Sequence, residues 1–88
     1  MNIAYFLDLA RLRNGFSSDL ILGKAMGVTD ASVSFWRNSK VVPKNYRAVQ
    51  IAFFAGVNPI QVIAVCEAAR ERDPKKKAFW NGLATGAR

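Results

Sequence analysis

The chain has 88 residues and a mass of 9.7 kDa, which predicts a single domain spanning 1–88. Thirteen Lys and Arg against six Asp and Glu leave a net charge of +7, and a hydrophobic content of 51% excludes a disordered basic tail. The lack of His and the lone Cys66 exclude an internal disulfide, a His-based triad and a Cys/His zinc site. This excess of positive charge points to nucleic acid or an anionic membrane surface as a partner.

Capping residues and apolar spacing predict five or six short helices in chain order. The predicted helices span 3–13, 19–26, 30–38, 43–55, a fifth that begins after Asn58, and 74–84. Their predicted N-terminal caps are Asn2, Ser18, Thr29, Asn58 and Asp73, while Pro43 opens the fourth helix. Gln61 is expected to complete a capping box at the start of the fifth helix. The predicted inward residues are Ile3, Phe6, Leu7 and Ala10, flanked by Tyr5, Leu9 and Leu12, then Val49, Ile51, Ala52 and Phe53, then Val62, Ile63 and Cys66. No segment alternates as a strand would, so the expected fold is an all-α, compact five- to six-helix bundle.

A membrane span is considered because residues 48–66 carry no formal charge. The sequence Gly56-Val57-Asn58-Pro59 interrupts this stretch with a helix end and a new helix start, which argues against a span. The amino terminus lacks a basic region and Asp8 interrupts its apolar run, so no signal peptide is expected. The expected location is the cytoplasm, in association with the nucleoid.

Residues 19–38 fit the demands of a helix-turn-helix, in which two short helices cross at a tight turn. Gly23 supplies a small residue at the crossing and Gly27 a residue that tolerates positive φ in the turn. The shared buried face is formed by Leu22, Met26, Val28, Val33 and Trp36. An ordinary helical hairpin is the alternative, but seven coordinated positions in twenty residues favour the helix-turn-helix.

The run from Gly27 to Asn38, GVTDASVSFWRN, resembles the Cro/CI-type helix-turn-helix, also called lambda-repressor-like or XRE-like. The resemblance covers roughly residues 2–66, including Pro43 and the Ile51-Ala52 pair before Gly56. More narrowly, the region from Ser18 through Asp73-Pro74 resembles small regulators of phages and prophages, including filamentous phages. The chain departs from the family pattern at two positions, with Gly23 in place of Ala and Ser39 in place of Gly.

The resemblance implies that helix 30–38 lies in the major groove of double-stranded DNA with its first residues at the base edges. By position in the motif, the expected base-contacting residues are Thr29, Asp30, Ala31, Ser34 and Phe35. Asp30 could accept from cytosine, although stabilisation of the helix amino terminus is the favoured interpretation. Phe35 could contact a thymine methyl or be partly buried beneath the fourth helix, whereas Trp36 is expected in the core. The strong bidentate readers Arg, Asn and Gln are missing from the first turn of this helix.

Cations without intervening acids follow the predicted recognition helix, since residues 31–66 contain four Lys and Arg and no Asp or Glu. In this family that region lies along the sugar-phosphate backbone. The expected phosphate-contacting residues are Ser17, Ser18, Lys24, Ser32, Arg37, Asn38, Lys40, Lys44 and Arg47. A second cluster, Lys75-Lys76-Lys77, is interpreted as a solubilising patch, with phosphate contact as the alternative.

A homodimer on a palindromic operator is expected, because one recognition helix reads too few base pairs for useful specificity. The candidate interface residues are Val62, Val65, Phe79, Trp80 and Leu83, with helix 74–84 taking part in dimerisation. Phe79 and Trp80 could instead complete the core of the monomer, and both roles could hold together.

The hypothesis from sequence is a sequence-specific DNA-binding transcriptional regulator, a repressor of phage or prophage type, without cofactor, metal or membrane partner. The alternative is an antitoxin or a protein–protein interaction module built on the same helices. An enzyme is not expected, because the sequence offers no clustered carboxylate pair and no Gly-rich phosphate loop.

Overall fold

The computed structural model describes residues 2–85, and every regular element in that range is helical. The helices are α1 (Ile3–Asn14), α2 (Asp19–Met26), α3 (Asp30–Arg37), α4 (Asn45–Ala55), α5 (Pro59–Arg70) and α6 (Pro74–Ala84). The predicted all-α class and six-helix arrangement are therefore confirmed. None of the helices between residues 2 and 85 has the length and hydropathy needed to cross a bilayer.

The helices begin and end at residues whose chemistry favours those ends. The predicted capping side chains accept backbone N–H groups at the starts of five helices, namely Asn2, Ser18, Thr29, Asn58 and Asp73. Three helices end in glycines with left-handed backbone, at Gly15, Gly27 and Gly56. These local signals explain why most predicted boundaries agree with the structure to within a residue or two.

The core lies where α1 packs against α2, α3, α4 and α5, while α6 packs chiefly on α5. The α1 face predicted to be inward is buried, as shown by Ile3, Phe6, Leu7 and Ala10. Asn14 Nδ2 donates to the Phe54 carbonyl oxygen at 2.7 Å, which ties the carboxyl ends of α1 and α4 together. The α2–α3 pair thus packs on the rest of the chain mainly through α1.

Two predictions about the inward residues are wrong. Tyr5 and Leu12 lie on the outer side of α1, and Leu12 is 78% exposed. Val49 and Phe53 point outward from α4, because its inner face is formed by small residues and Ile51. The buried residues of α4 are Ala48, Ile51, Ala52 and Ala55. Hydrophobicity alone therefore misplaced four side chains that the structure leaves exposed.

The start of α4 and the role of Gln61 in α5 also differ from the prediction. α4 begins at Asn45, since Pro43 is buried before the helix and its carbonyl oxygen accepts from Arg70 Nη1 at 3.0 Å. The predicted capping box at α5 is wrong for Gln61, whose Nε2 donates to the Ala84 carbonyl oxygen at 3.5 Å. Contacts with α5 and α6 therefore take the place of the local interactions expected at both positions.

Replacing Gly23 by alanine is expected to lower the free energy of unfolding by about 1–2 kcal/mol. A Cβ at this position would lie 2.9 Å from the Val28 carbonyl oxygen, so the backbone must move. The strain outweighs the roughly 1 kcal/mol that alanine contributes through helix propensity. Urea unfolding followed by circular dichroism measures the change.

Gly82→Ala is the matched control, because Gly82 also lies inside a helix but a Cβ there meets open space. This variant is expected to gain about 0.5–1 kcal/mol. Equal stabilisation by both substitutions would show that α2 and α3 do not approach closely at Gly23.

Candidate nucleic-acid interface

The α2–α3 pair is held together at the predicted positions. The Val28 N–H donates to the Gly23 carbonyl oxygen at 2.8 Å, and Gly27 has φ 80° in the turn. The shared face is buried at Leu22, Met26, Val33 and Trp36, with Val28 partly buried. Trp36 is 6% exposed, so its predicted place in the core is confirmed. α2 and α3 therefore form a tightly connected pair with one free outer side.

The outer side of α3 presents all five predicted base-contacting residues to solvent: Thr29, Asp30, Ala31, Ser34 and Phe35. The Thr29 hydroxyl accepts from the Ser32 N–H at 3.1 Å and lies 3.2 Å from the Ser32 hydroxyl, so both side chains are already engaged at the helix start. Phe35 is 47% exposed, which leaves roughly half of its ring available for contact. The face is chemically mixed, with hydroxyl, methyl, carboxylate and aromatic groups.

The end of α3 is closed by a left-handed Ser39, at the position where the sequence departs from the family pattern. Ser39 has φ 61°, its N–H donates to the Trp36 carbonyl, and the Lys40 N–H donates to the Phe35 carbonyl at 2.9 Å. This is the pairing of a Schellman motif, which usually has glycine at the left-handed residue. The Ser39 backbone therefore ends α3 as glycine would and directs Lys40 out of the helix.

Several predicted phosphate-contacting side chains are accessible. Lys24, Lys40 and Lys44 are exposed, and between residues 2 and 85 none of them forms an ion pair with a carboxylate. Ser17 and Asn38 are exposed as well, whereas Ser18 and Ser32 are half-buried at the starts of α2 and α3. The three lysines come from α2, the α3–α4 loop and the start of α4, and so flank α3 in the chain on both sides.

The structure assigns Arg37 a different role from the predicted phosphate contact. Its Nε and Nη2 donate to the two carboxylate oxygens of Asp19 at 3.0 and 2.9 Å, and its Nη1 donates to Asp8 at 2.7 Å. Arg11 Nη1 also donates to Asp19, at 3.3 Å. The guanidinium of Arg37 is thus occupied by bonds within the chain, which connect α3 to both α1 and α2.

Arg47 is likewise engaged in holding the fold. Its Nη1 donates to the Met26 carbonyl oxygen at 3.0 Å and to Gln50 Oε1 at 2.8 Å, and Gln50 Nε2 donates to the same carbonyl at 3.2 Å. Met26 is the last residue of α2, so these bonds join the start of α4 to the end of α2. Arg47 Nη1 is therefore engaged in a helix-end interaction, and the phosphate contact of Arg47 stays a prediction.

Sequence reasoning missed Asp8 and Arg11 as members of this network and expected Arg37 to face DNA. The sequence signal for the network was Asp19, an acid in the first turn of α2, a position that the helix dipole alone would also explain. The hydrogen bonds from Arg37, opposed by partial burial and supported by the nearby Arg11, hold the pKa of Asp19 below its usual range.

This lowered pKa predicts that the Asp19 pairing stabilises the fold above about pH 4 and is lost as the pH falls further. Asp19→Asn is expected to lower the free energy of unfolding by about 1–2 kcal/mol at pH 7. Its stability should then fall less than that of the wild type between pH 5 and pH 2.5, measured by urea unfolding at each pH. Asp30→Asn is the control, because Asp30 forms no ion pair within residues 2–85. Parallel pH curves for wild type and Asp19→Asn would contradict the prediction.

The predicted dimer surface is only partly available. Val62 and Val65 are buried within the chain, so that part of the prediction is wrong. Trp80 and Leu83 are half-buried against the core, while Phe79 is exposed on α6. The Val62 and Val65 side chains pack inward because α6 and α4 both lie against α5.

In the lysine cluster 75–77, Lys77 Nζ donates to the Ala68 carbonyl oxygen near the end of α5 at 2.9 Å.

Comparisons of the chain with protein-family models, with curated proteins and with solved structures gave no match. The case for a function of this chain therefore depends on the chemistry and geometry of its own residues.

Proposed function

We propose that the chain is a sequence-specific, double-stranded DNA-binding transcriptional regulator of phage or prophage type that acts as a repressor. In this proposal α3 lies in the major groove, and a homodimer covers a palindromic operator in the cytoplasm, at the nucleoid. The observation that carries the proposal is the exposed outer side of α3, flanked in the chain by exposed lysines that have no carboxylate partner between residues 2 and 85.

Phosphate binding is supported by the charge of the accessible side chains. Arg11 and Arg37 pair with Asp8 and Asp19, so that these four charges cancel within the fold. Lys24, Lys40 and Lys44 keep their charge free for phosphate, and binding releases condensed counterions from the DNA. Lys40 directly follows the left-handed Ser39 at the end of α3, and in this proposal its exposed ammonium contacts a phosphate beside the groove.

Base recognition is supported by the small side chains at the start of α3. Ala31 and the Thr29 methyl group can contact thymine methyl groups, and Ser34 can exchange hydrogen bonds with base edges. Phe35 adds an exposed ring that can pack on a thymine methyl. We therefore infer an operator rich in thymine at the positions beneath the first two turns of α3. While the dimer occupies both half-sites, it blocks the access of RNA polymerase to the operator.

The test is selection of bound duplexes from a random-sequence DNA pool, followed by binding of the selected duplex across a series of salt concentrations. We expect a palindrome with half-sites about 10–11 base pairs apart, and a steep linear fall of log K with log salt concentration. Failure to bind any duplex at 50 mM salt would overturn the proposal. Co-purification with the product of a neighbouring gene would then favour the antitoxin or interaction module.

A further inference from the structure

A cavity of about 260 Å³ is lined by the end of α3, the α3–α4 loop, α5 and α6, and the DNA-binding proposal does not use it. Its walls are mostly apolar and include the buried residues Trp36, Pro43, Val65 and Cys66, so we call it the Trp36 cavity. A protein cavity of about 150 Å³ already holds benzene. The Trp36 cavity therefore has room for an aromatic ring that carries a short side chain.

The α3–α4 loop contributes two valines to the Trp36 cavity. Val41 is 49% exposed and Val42 is half-buried, so both keep apolar surface in contact with water. The lining residues at the end of α5 include Ala68 and Ala69, whose short side chains fill little space. An apolar molecule in the cavity would remove part of the valine surface from water, which favours its binding.

Lys77 supplies the only charge among the lining residues that the structure describes. Its Nζ donates to the Ala68 carbonyl oxygen at 2.9 Å, which holds the ammonium beside the cavity. An ammonium has three N–H donors, and Lys77 forms no ion pair within residues 2–85, so two donors stay available for a ligand. Asn81 also lines the cavity, and it lies four residues after Lys77 on the same side of α6.

We propose that the Trp36 cavity binds a small carboxylate with an apolar body, of about ten non-hydrogen atoms. Its carboxylate would accept from Lys77 and from the Asn81 amide, while its apolar body contacts the indole of Trp36 and the neighbouring aliphatic side chains. A single ammonium matches the one charge of a carboxylate, whereas a phosphate dianion would need a second cation at the site. A neutral molecule of the same shape would lack the charge-assisted hydrogen bond to Lys77.

The Trp36 cavity shares a wall with the segment that we propose lies along the DNA. Ser39 and residues 41–43 line the cavity, and Lys40 lies between them in the chain. A ligand in the cavity would restrict the movement of this segment, so that DNA binding would lose less conformational entropy. We therefore expect the ligand to strengthen duplex binding about fivefold. This effect rests on the proposed function, whereas binding of the carboxylate does not.

Titration of the ¹⁵N-labelled full chain with sodium phenylacetate, at pH 7 and constant ionic strength, tests the site by NMR. We expect a dissociation constant of roughly 0.1–5 mM for a ligand of this size. The largest shift changes should occur at the Trp36 indole N–H, the Asn81 side-chain amide and the Val41 and Val42 amides. Absence of binding at about 20 mM would overturn the proposal, as would shift changes confined to residues outside the cavity.

Phenylacetamide is the matched control ligand, because it replaces the carboxylate by a neutral amide of nearly the same size. It is expected to bind at least about fivefold more weakly than phenylacetate, since it cannot form the charge-assisted hydrogen bond to Lys77. Equal affinity for the two molecules would overturn the assignment of a carboxylate as the ligand.

Lys77→Met removes the ammonium and keeps a side chain of similar length. This variant is expected to bind phenylacetate at least about fivefold more weakly than the wild type and to bind phenylacetamide equally well. Lys76→Met is the matched control, because Lys76 is the adjacent exposed lysine but does not line the cavity. Equal weakening by both variants would show a general attraction between the anion and a chain of charge +7, and would overturn the site.

Ala69→Phe tests the apolar part of the Trp36 cavity without changing its charge. Ala69 is exposed and lines the cavity, so a larger side chain can take up cavity space without entering the core. The variant is expected to lose affinity for both phenylacetate and phenylacetamide, with thermal unfolding like that of the wild type. Unchanged affinity for both ligands would overturn the location.

Duplex binding separates failure of the cavity's link to DNA from failure of the proposed function. Phenylacetate should raise the duplex affinity of the wild type about fivefold relative to the same concentration of sodium chloride, and should leave that of Lys77→Met unchanged. An equal affinity of the wild type in the two salts would overturn the link between the cavity and DNA. Failure of the wild type to bind any duplex in either salt would overturn only the DNA-binding proposal.

Discussion

Replacement of Trp36 by alanine is expected to lower the free energy of unfolding by about 3–5 kcal/mol. The side chain is almost fully buried and lies in the core that joins α3 to the rest of the chain. A domain of this size has a total stability of about 5–15 kcal/mol, so the loss would leave a substantial unfolded fraction. Urea unfolding monitored by circular dichroism measures the change.

Phe35→Ala provides the matched control for Trp36→Ala, because the two aromatic residues are adjacent on α3 but Trp36 is buried and Phe35 is about half exposed. Since Phe35 is about half exposed, its loss should cost about 1 kcal/mol or less. It should nevertheless weaken binding to the selected duplex, because the ring belongs to the outer side of α3. Similar losses of stability for the two variants would contradict the orientation of α3 described above.

Substitution of Lys24, Lys40 and Lys44 together by glutamine is expected to reduce DNA affinity on the order of 100-fold near 0.15 M salt. The fold should be unaffected, since these side chains are exposed and form no ion pair among residues 2–85. Each lost phosphate contact lowers the slope of log K against log salt concentration by about 0.9, so the triple variant should lose about 2–3 units of slope.

The control for this variant is Lys75→Gln with Lys76→Gln, which removes two cations from the exposed start of α6. If these lysines form only a solubilising patch, we expect a small change in DNA affinity. The slope of log K against log salt concentration should then change no more than long-range electrostatic interactions require. A loss of slope in this control, together with none in the triple variant, would move the DNA contact from α3 to α6. Fluorescence anisotropy with a labelled duplex at four salt concentrations measures both.

The helix ends could be predicted from the sequence because they depend on interactions within a few residues. Ser18 and Thr29 cap α2 and α3 through amides three residues later, and Gly27 adopts the left-handed turn between the two helices. The crossing at Gly23 was also predictable, since few residues can allow two backbones to approach so closely. The same local rules therefore predict the ends and the crossing of α2 and α3, the two helices that carry the candidate site.

The roles of Arg37 and Phe53 could not be predicted, because they depend on which helices become neighbours. Arg37 pairs with Asp8, 29 residues earlier in the chain, and no local pattern marks that contact. Phe53 is as hydrophobic as a core residue, yet the small alanines of α4 take the inner positions. A sequence pattern gives a helix its apolar residues but leaves open which of two apolar faces meets the core.

The uncharged stretch 48–66, which forms most of α4 and the first two thirds of α5, has a consequence for the unfolded chain. Once exposed, such a stretch offers no electrostatic repulsion along nineteen residues and can associate with another copy. Lys44 and Arg47 before it and Arg70 after it are the nearest cations that oppose this association. Destabilised variants should therefore aggregate faster as salt screens these flanking charges, whereas the folded wild type should not. At high protein concentration, the extent of aggregation would then depend on how long each molecule stays unfolded.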